Sequence, residues 1–168
     1  MKKPAIFLDR DGVINVDRGY VYKIDDLEWI PGAIETIKLF NSKNFYVIIV
    51  TNQSGIARGY FTEDDLKIFH IEINKELEKF SAFIDDFFYS PFHPDGVIEK
   101  YRKSSKLRKP NTGMLEMACR KWNIDMSKSF MIGDKESDME CALNFNITGL
   151  LFKGNNLLEF VKKNINLI

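Results

Sequence analysis

The chain has 168 residues, of which 45% are hydrophobic and 29% are charged, a length that suits one domain and excludes two large ones. Its 24 basic and 24 acidic side chains balance, which excludes the positive overall field of a protein that binds DNA, RNA or anionic membranes. The apolar and aromatic content is typical of a packed globular chain and excludes an intrinsically disordered one.

Apolar runs of strand length alternate along the chain with segments whose apolar residues recur at helical spacing. In chain order we predict a strand at residues 5–8, a helix at 32–44, a strand at 45–50, a helix capped at Thr62 and running to residue 80, a strand at 84–89, a helix at 113–122, a strand at 129–133, a helix at 137–145, a strand at 147–152 and a helix at 157–164. This alternation predicts an α/β fold with a doubly wound parallel sheet.

We expect a single domain over residues 1–168, without repeats or linkers, interrupted by two irregular segments. These segments, at about residues 12–29 and 90–110, are longer than ordinary connections, and connections of that length are commonly functional. Both follow the carboxyl end of a predicted strand, which is the edge where open α/β sheets bind ligands. We therefore expect them to form short loop caps beside a site.

Cys119 and Cys141 are the only cysteines, and neither belongs to a CxxC or Cys/His pattern. Isolated cysteines of this kind are typical of reduced, packed thiols. The chain enters its first strand without the apolar stretch of a signal peptide, and apolar runs such as residues 47–50 are far shorter than the ~20 residues of a membrane helix. We expect a cytoplasmic monomer that binds neither nucleic acid nor membrane.

Four aspartates are expected to meet where two predicted strands end. Asp9 and Asp11 follow the first strand, and residues two apart on an extended chain point the same way, while Gly12 allows the chain to turn. Asp134 and Asp138 follow another buried strand. Carboxylates this close repel one another unless a hard cation such as Mg²⁺ neutralises them. An Asp-x-Asp pattern alone is more often a turn or a cap.

Two further segments indicate an anion site. Residues 51–55 offer hydroxyl, amide and backbone N–H groups after the second strand, which suits them to hold a phosphate. Arg108 and Lys109 precede a predicted helix, where the Lys109 ammonium can offset the charge of that phosphate. Each segment alone is compatible with a solvated turn. Their order after successive strands favours one common site.

The segments Asp9-x-Asp11-Gly12, Thr51, Lys109 and Gly133-Asp134-x-x-x-Asp138 resemble the four motifs of the haloacid dehalogenase (HAD) superfamily of phosphotransferases. More narrowly, the chain resembles the D,D-heptose 1,7-bisphosphate phosphatases over nearly its whole length. The segments that carry this likeness are residues 7–12, Asp17, 19–21, 51–59, 108–114 and 132–135. Histidinol-phosphate phosphatases share these subfamily motifs, but residues 19–21 and 55–59 are more similar to the heptose enzymes.

The resemblance implies a HAD-like Rossmannoid phosphatase with short loop caps. It implies that Asp9 attacks phosphorus to form an aspartyl-phosphate, and that Asp11 protonates the leaving oxygen and then activates water. It also implies a Mg²⁺ ion held by Asp9, by the backbone carbonyl of Asp11 and by Asp134, with Asp138 behind these ligands.

The same resemblance assigns roles around the substrate. Thr51 and Lys109 would stabilise the transferring phosphoryl group. Cations would clamp the second phosphate and amides would contact the sugar hydroxyls. These substrate-binding residues would be Asp17, Gly19, Tyr20, Asn52, Gln53, Ser54, Arg58, Arg108 and Lys135. Two of these residues have an alternative role. Arg58 is equally compatible with a solvated surface position, and Asp17 with a cap within its own loop.

One part of the sequence departs from the family pattern. In many relatives the long loop binds structural zinc, and the corresponding positions here are Ser90, Phe92, Ser105 and Leu107. Phe and Leu cannot bind Zn²⁺, Ser rarely does, and His93 alone cannot make a site. We expect no zinc, and we expect packing that includes Phe92 and Leu107 to hold the loop instead.

The resemblance implies hydrolysis of a small phosphorylated sugar, at the 7-phosphate of D-glycero-D-manno-heptose 1,7-bisphosphate. A histidinol-phosphate phosphatase is the alternative within the same class. A receiver-type signalling domain also combines Asp, Mg²⁺ and a Thr/Lys pair, but its phosphorylated Asp does not follow the first strand. A binding-only pseudoenzyme stays open, whereas the missing GxxxxGK[ST] pattern excludes a P-loop kinase.

Overall fold

The computed structural model describes residues 2–166, which form a five-stranded parallel sheet with helices on both faces. The strands are β1 (Ala5–Leu8), β2 (Tyr46–Asn52), β3 (Asp86–Ser90), β4 (Phe130–Gly133) and β5 (Thr148–Leu151). The helices are α1 (Ala33–Ser42), α2 (Glu63–Glu78), α3 (Gly113–Lys121), α4 (Glu136–Asn144) and α5 (Leu157–Asn164). The predicted doubly wound α/β fold is confirmed. Residues 1, 167 and 168 of the predicted domain lie outside the described residues.

Alternate residues of the central strands face two separate apolar layers. Ile6 and Leu8 of β1 pack in the layer that contains α1, α2 and α5, whereas Ala5 and Phe7 pack in the layer that contains α3 and α4. All four residues of β1 are buried, which explains why the strand is a continuous apolar run without polar alternation. Full burial of an apolar side chain as large as Phe7 contributes roughly 1.5–3 kcal/mol.

The strand order β3-β2-β1-β4-β5 brings the ends of β1, β2 and β4 together. Leu8 pairs with Ile49 on one side and with Ile132 on the other. The residues that follow these strands therefore emerge at the same edge. Because the chain order reverses between β1 and β4, this edge is the topological switch point where doubly wound sheets bind ligands.

Helix α2 begins with the predicted capping box. The Thr62 hydroxyl accepts a hydrogen bond from the Asp65 N–H at 3.1 Å, and the Asp65 carboxylate accepts one from the Thr62 N–H at 2.8 Å. This reciprocal pair satisfies two N–H groups that a helix start otherwise leaves free. The buried face of α2 consists of Leu66, Phe69, His70, Ile73 and Leu77. One polar side chain, that of His70, thus faces the sheet among apolar neighbours.

The two irregular segments follow the carboxyl ends of β1 and β3. In the first, Asn15 bridges Asp11 and Trp29, and a 3-10 turn follows at Ile24–Asp26. In the second, the N–H groups of residues 97 and 98 donate to the Ala57 carbonyl, and a 3-10 turn follows at Glu99–Tyr101. Within residues 2–166, no helix is both long and apolar enough to cross a membrane.

Candidate active site

Asp9, Asp134 and Asp138 converge at the ends of β1 and β4. One carboxylate oxygen from each of the three lies within 4.8 Å of the others. Gly133 makes this approach feasible, because a Cβ at that position would lie 2.1 Å from the Cβ of Asp138. Gly12, with φ of +85°, turns the chain beside Asp134, and a Cβ there would meet an Asp134 oxygen at 2.3 Å. Both glycines therefore make room for the carboxylates.

Lys109 lies between two of these carboxylates and is only 3% exposed. Its Nζ is 3.0 Å from Asp9 Oδ1 and 2.6 Å from Asp138 Oδ1, and it donates to the Val50 carbonyl at 2.7 Å. Burial alone would lower the pKa of Lys109, but the two carboxylates outweigh that effect and raise it. The ammonium is therefore charged and holds Asp9 in place.

Asn52 fixes the backbone of Lys109 from the end of β2. The Asn52 carboxamide oxygen accepts the Lys109 N–H at 3.0 Å, and its Nδ2 donates to the Lys109 carbonyl at 3.1 Å. Two hydrogen bonds in opposite senses leave the Lys109 main chain little freedom relative to the sheet.

The carboxylate cluster has more negative charge than its protein partners neutralise. Burial raises the pKa of Asp9 to about 7, although Lys109 opposes that rise. Burial and the Asp138 carboxylate raise the pKa of Asp134, whose Oδ1 is buried without a hydrogen-bond partner. An oxygen-rich, under-neutralised cluster of this kind has the donor chemistry that Mg²⁺ requires. The residues therefore fit the predicted ion, with Asp138 already engaged by Lys109 and by the Lys135 N–H at 3.1 Å.

Of the four aspartates expected to meet, Asp11 is not among the three whose oxygens converge, and its carboxylate is held by three other side chains. Arg10 Nη2 donates to both Asp11 oxygens at 2.9 and 3.0 Å. Asn15 Nδ2 donates to Oδ1 at 3.0 Å and Gln53 Nε2 to Oδ2 at 2.9 Å. Gln53 also donates to the Thr51 hydroxyl at 2.8 Å. The side chains of Asp11 and Thr51 are thus linked through one amide.

A polar cleft of about 290 Å³ opens beside Asp11. It contains seven of the nine residues predicted to bind substrate. The lining residues are Asp11, Asp17, Gly19, Tyr20, Asn52, Gln53, Ser54 and Lys135. Across the cleft, Lys135 Nζ lies 3.4 Å from Asp17 Oδ2, while Asp17 Oδ1 accepts the Gly19 N–H at 3.0 Å. Asp17 therefore caps its own loop and also faces the cleft.

The other two predicted substrate-binding residues, Arg58 and Arg108, lie together beside His93. Arg58 Nη2 is 3.5 Å from His93 Nε2, and Arg108 Nη1 donates to the Phe92 carbonyl at 3.4 Å. Burial and the charge of Arg58 lower the pKa of Arg108. Burial and both arginines lower the pKa of His93. We call Arg58 and Arg108 the arginine pair. Two cations beside the same residue form a region suited to an anion.

Other contacts surround the four positions at which we expect no zinc, Ser90, Phe92, Ser105 and Leu107. Phe92 and Leu107 line a common cleft of about 310 Å³, and the Phe92 ring lies 5.9 Å from that of Tyr101. Ser105 Oγ accepts the Leu107 N–H at 3.1 Å, and the Ser90 side chain is buried. In the same cleft, Glu63 of α2 accepts hydrogen bonds from the hydroxyls of two tyrosines, Tyr89 and Tyr101.

Sequence reasoning did not identify Arg10, Asn15 or His70, although all three contribute to the surroundings of Asp11. Arg10 is fully buried, and it lies between two motif aspartates in the sequence. Its guanidinium pairs with one of them, Asp11. The neighbouring carboxylates were the only indication in the sequence, because a buried cation requires an anionic or polar partner. His70 interrupts the apolar stripe of α2, but its partner lies 60 residues away in the chain.

Comparisons with known proteins agree with this geometry. A sequence model described as HAD-hydrolase-like matches residues 106–157. The D-glycero-β-D-manno-heptose-1,7-bisphosphate 7-phosphatase of Rhodopseudomonas palustris is 43% identical over 162 residues, which cover 96% of this chain and 90% of that protein.

Two crystal structures share the fold. A HAD-like phosphatase from Mesorhizobium loti superposes with a TM-score of 0.85 at 34% identity, covering 91% of this chain and 74% of the other. The D,D-heptose 1,7-bisphosphate phosphatase of B. bronchiseptica, complexed with magnesium and phosphate, superposes with a TM-score of 0.80 at 28% identity, covering 96% and 87%. The resemblance inferred from the motifs is confirmed. The chain belongs to the HAD-like phosphatase family that includes the D-glycero-β-D-manno-heptose-1,7-bisphosphate 7-phosphatases.

Proposed function

We propose that this phosphatase removes the 7-phosphate of D-glycero-β-D-manno-heptose 1,7-bisphosphate through an aspartyl-phosphate intermediate. The observation that carries the proposal is the position of Asp9, which is buried, ion-paired with Lys109 at 3.0 Å and beside the orphaned Asp134 carboxylate. The names of the curated relatives support the substrate and its β anomer.

In this mechanism Asp9 and Asp11 divide the chemistry. An Asp9 oxygen attacks phosphorus, the bond from phosphorus to the sugar oxygen breaks, and Asp11 gives that oxygen a proton. A water molecule then attacks phosphorus and its proton passes to Asp11. The bond from phosphorus to the Asp9 oxygen breaks, which releases inorganic phosphate and restores the Asp9 carboxylate. Thr51 and Lys109 contact the oxygens of the phosphoryl group while its charge develops.

We also propose that Mg²⁺ is the cofactor. Asp9, Asp134 and the backbone carbonyl of Asp11 would hold it, and Asp138 would orient Lys109 behind them. When bound, the ion neutralises the carboxylates and the phosphate so that an anionic nucleophile can approach. The under-neutralised carboxylate cluster and the magnesium-bound B. bronchiseptica relative support this assignment.

Magnesium should stabilise the free protein measurably. We expect Mg²⁺ added after EDTA treatment to raise the melting temperature, because a ligand that binds only the folded state stabilises it. Asp134→Asn should remove most of this shift, since the substitution weakens the metal site by replacing an anionic ligand with a neutral amide of the same size. Differential scanning fluorimetry against MgCl₂ measures the effect, with Asp64→Asn on the exposed start of α2 as the control. An equal shift in Asp134→Asn and wild type would contradict the assignment.

The sugar would occupy the polar cleft, and the arginine pair would receive the second phosphate. A bisphosphate supplies one phosphate for Lys109 and the proposed Mg²⁺, and a second phosphate for the arginine pair. Histidinol phosphate carries a single phosphate and a cationic amine, and two guanidinium groups repel that amine. The charge distribution therefore favours the heptose bisphosphate over the histidinol ester.

The test is phosphate release by the purified protein with Mg²⁺. The β and α anomers of D-glycero-D-manno-heptose 1,7-bisphosphate and histidinol phosphate would be compared. We expect the highest kcat/KM for the β anomer, and we expect Arg108→Gln to raise KM for it with a smaller effect on a sugar monophosphate. Turnover of histidinol phosphate alone would overturn the substrate assignment. Absence of turnover with every phosphate ester would favour a binding-only protein.

We further propose that the segment of residues 90–110 holds its shape without zinc, through Glu63 and the aromatic cleft. Glu63→Leu should lower the free energy of unfolding by about 1–3 kcal/mol, because the partly buried hydroxyls of Tyr89 and Tyr101 lose their acceptor. A zinc chelator should leave the wild-type melting temperature unchanged. Urea unfolding and metal analysis of the purified protein provide both readouts. Stoichiometric zinc, or a chelator-induced loss of stability, would contradict the proposal.

The organisation as one domain with two caps, the monomeric state and the cytoplasmic location stay predictions. Light scattering on the purified protein would decide the oligomeric state.

A further inference from the structure

His70 is a polar side chain on the buried face of α2, and it is only 5% exposed. Its ring stacks on Phe87 of β3, with the ring centroids 4.3 Å apart and the planes 15° from parallel. Burying an imidazole here costs free energy unless a polar partner compensates. An apolar side chain would continue the stripe formed by Leu66, Phe69 and Ile73.

The polar partner of His70 is the guanidinium of Arg10. Arg10 Nη1 lies 3.3 Å from His70 Nε2. A guanidinium has donors and no acceptor, so Nε2 must be the acceptor. The imidazole is therefore neutral, with its proton on Nδ1. Burial and the charge of Arg10 both lower the pKa of His70 well below its usual value, which agrees with this state.

Arg10 is held at both ends of its planar group. Nη1 faces His70, whereas Nη2 donates to the Val21 carbonyl at 2.5 Å. The Phe69 ring covers the guanidinium at 5.0 Å. These contacts fix the plane of the guanidinium, and in that plane Nη2 donates to both oxygens of Asp11 at 2.9 and 3.0 Å. The orientation of Asp11 at the edge of the polar cleft thus depends on a plane that His70 helps to define.

We propose that His70 is a positioning residue for Asp11, acting through Arg10 and without contacting substrate. The inference rests on the proposed function, in which Asp11 protonates the leaving oxygen. Without the imidazole acceptor, the buried Nη1 group loses its partner, and the guanidinium gains by rotating toward other acceptors. Asp11 would follow Arg10, and small displacements of a catalytic group lower rates steeply.

The test compares two replacements of His70 with a matched control on the same helix. His70→Leu removes the acceptor and keeps an apolar side chain of similar size, whereas His70→Gln supplies an amide oxygen near the position of Nε2. Ile73→Ala destabilises the same buried face and leaves the His70 imidazole and its acceptor nitrogen unchanged. Melting temperatures and steady-state kinetics would be measured for all three and for wild type.

Two substrate types separate positioning of Asp11 from general damage. A sugar phosphate has an alkoxide leaving group that needs a proton, whereas p-nitrophenyl phosphate releases a phenolate that does not. We expect His70→Leu to lower kcat/KM for the sugar phosphate about tenfold or more, and for p-nitrophenyl phosphate by less than about threefold. His70→Gln should recover most of the loss, and Ile73→Ala should change melting temperature alone.

Equal losses on both substrates, unchanged kinetics in His70→Leu, or a Gln variant no better than Leu would each overturn the proposal. The proposed function fails separately, if the wild-type protein hydrolyses other sugar phosphates and p-nitrophenyl phosphate but not the heptose bisphosphate. In that case the same comparison, made with the best sugar phosphate, still decides the role of His70.

Discussion

Asp9→Asn should lower kcat by about three orders of magnitude or more while the protein stays folded. The amide that replaces the carboxylate lacks the anionic oxygen that attacks phosphorus. The fold should tolerate the change, because the substitution is isosteric and removes one charge from a cluster of three carboxylates. Phosphate release with Mg²⁺ measures the activity, and thermal unfolding in EDTA measures the stability.

The control for Asp9→Asn is Asp64→Asn, an identical change on the exposed first turn of α2. It should leave both kcat and the melting temperature unchanged. Acid-quenched samples of wild type should contain phosphorylated protein, and those of Asp9→Asn should not. Residual turnover of Asp9→Asn above about one part in a hundred would contradict a nucleophilic role, since an uninvolved carboxylate is replaced at little kinetic cost.

Lys109→Met should cause the largest loss of stability, about 3–5 kcal/mol. Its ammonium lies 3.0 Å from Asp9 and 2.6 Å from Asp138, and all three side chains are nearly inaccessible to water. Removing the cation leaves two buried carboxylates uncompensated, whereas Met preserves most of the side-chain volume. Phosphoryl transfer should fall as well, because the Lys109 charge also faces the phosphate. Urea unfolding in EDTA and phosphate release measure the two effects.

A double variant separates these two effects of Lys109. Lys109→Met with Asp138→Asn should recover part of the lost stability, since one of the two uncompensated carboxylates is gone. Activity should not recover, because the charge that faces the phosphate is still missing. A loss below about 1 kcal/mol in the single variant would mean that solvent, and not Lys109, compensates the cluster.

The fold and much of the site could be predicted from the sequence because the signals are local. Continuous apolar runs marked the buried strands, and Thr62 with Asp65 marked the start of α2. Asp9 and Asp134 directly follow strands, so the position of each relative to the sheet edge follows from the strand prediction. The substrate-binding role of residues 17–20 was predicted from the resemblance alone, because their position in the cleft depends on how a whole loop folds.

Contacts between distant segments could not be predicted in the same way. The sequence shows that His70 lies on the apolar stripe of α2, but not that its ring meets Arg10, which is 60 residues away. It shows that Arg58 and Arg108 are cations near motifs, but not that they lie together beside His93 and apart from the polar cleft. Such pairings arise from tertiary packing, for which one sequence has no periodic signal.

The side chain of Asn52 carries the same donor and acceptor as a peptide unit, and it presents both to the main chain of Lys109. These two hydrogen bonds align the Lys109 main chain with the end of β2, as the backbone hydrogen bonds of a sheet align neighbouring strands. Asn52 aligns the main chain of Lys109, while Asp9, Asp138 and the Val50 carbonyl hold its ammonium. None of these contacts comes from Phe92 or Leu107, so substitutions at either position should leave the ammonium in place. The position of Lys109 is thereby separated from the sequence of the loop that leads to it.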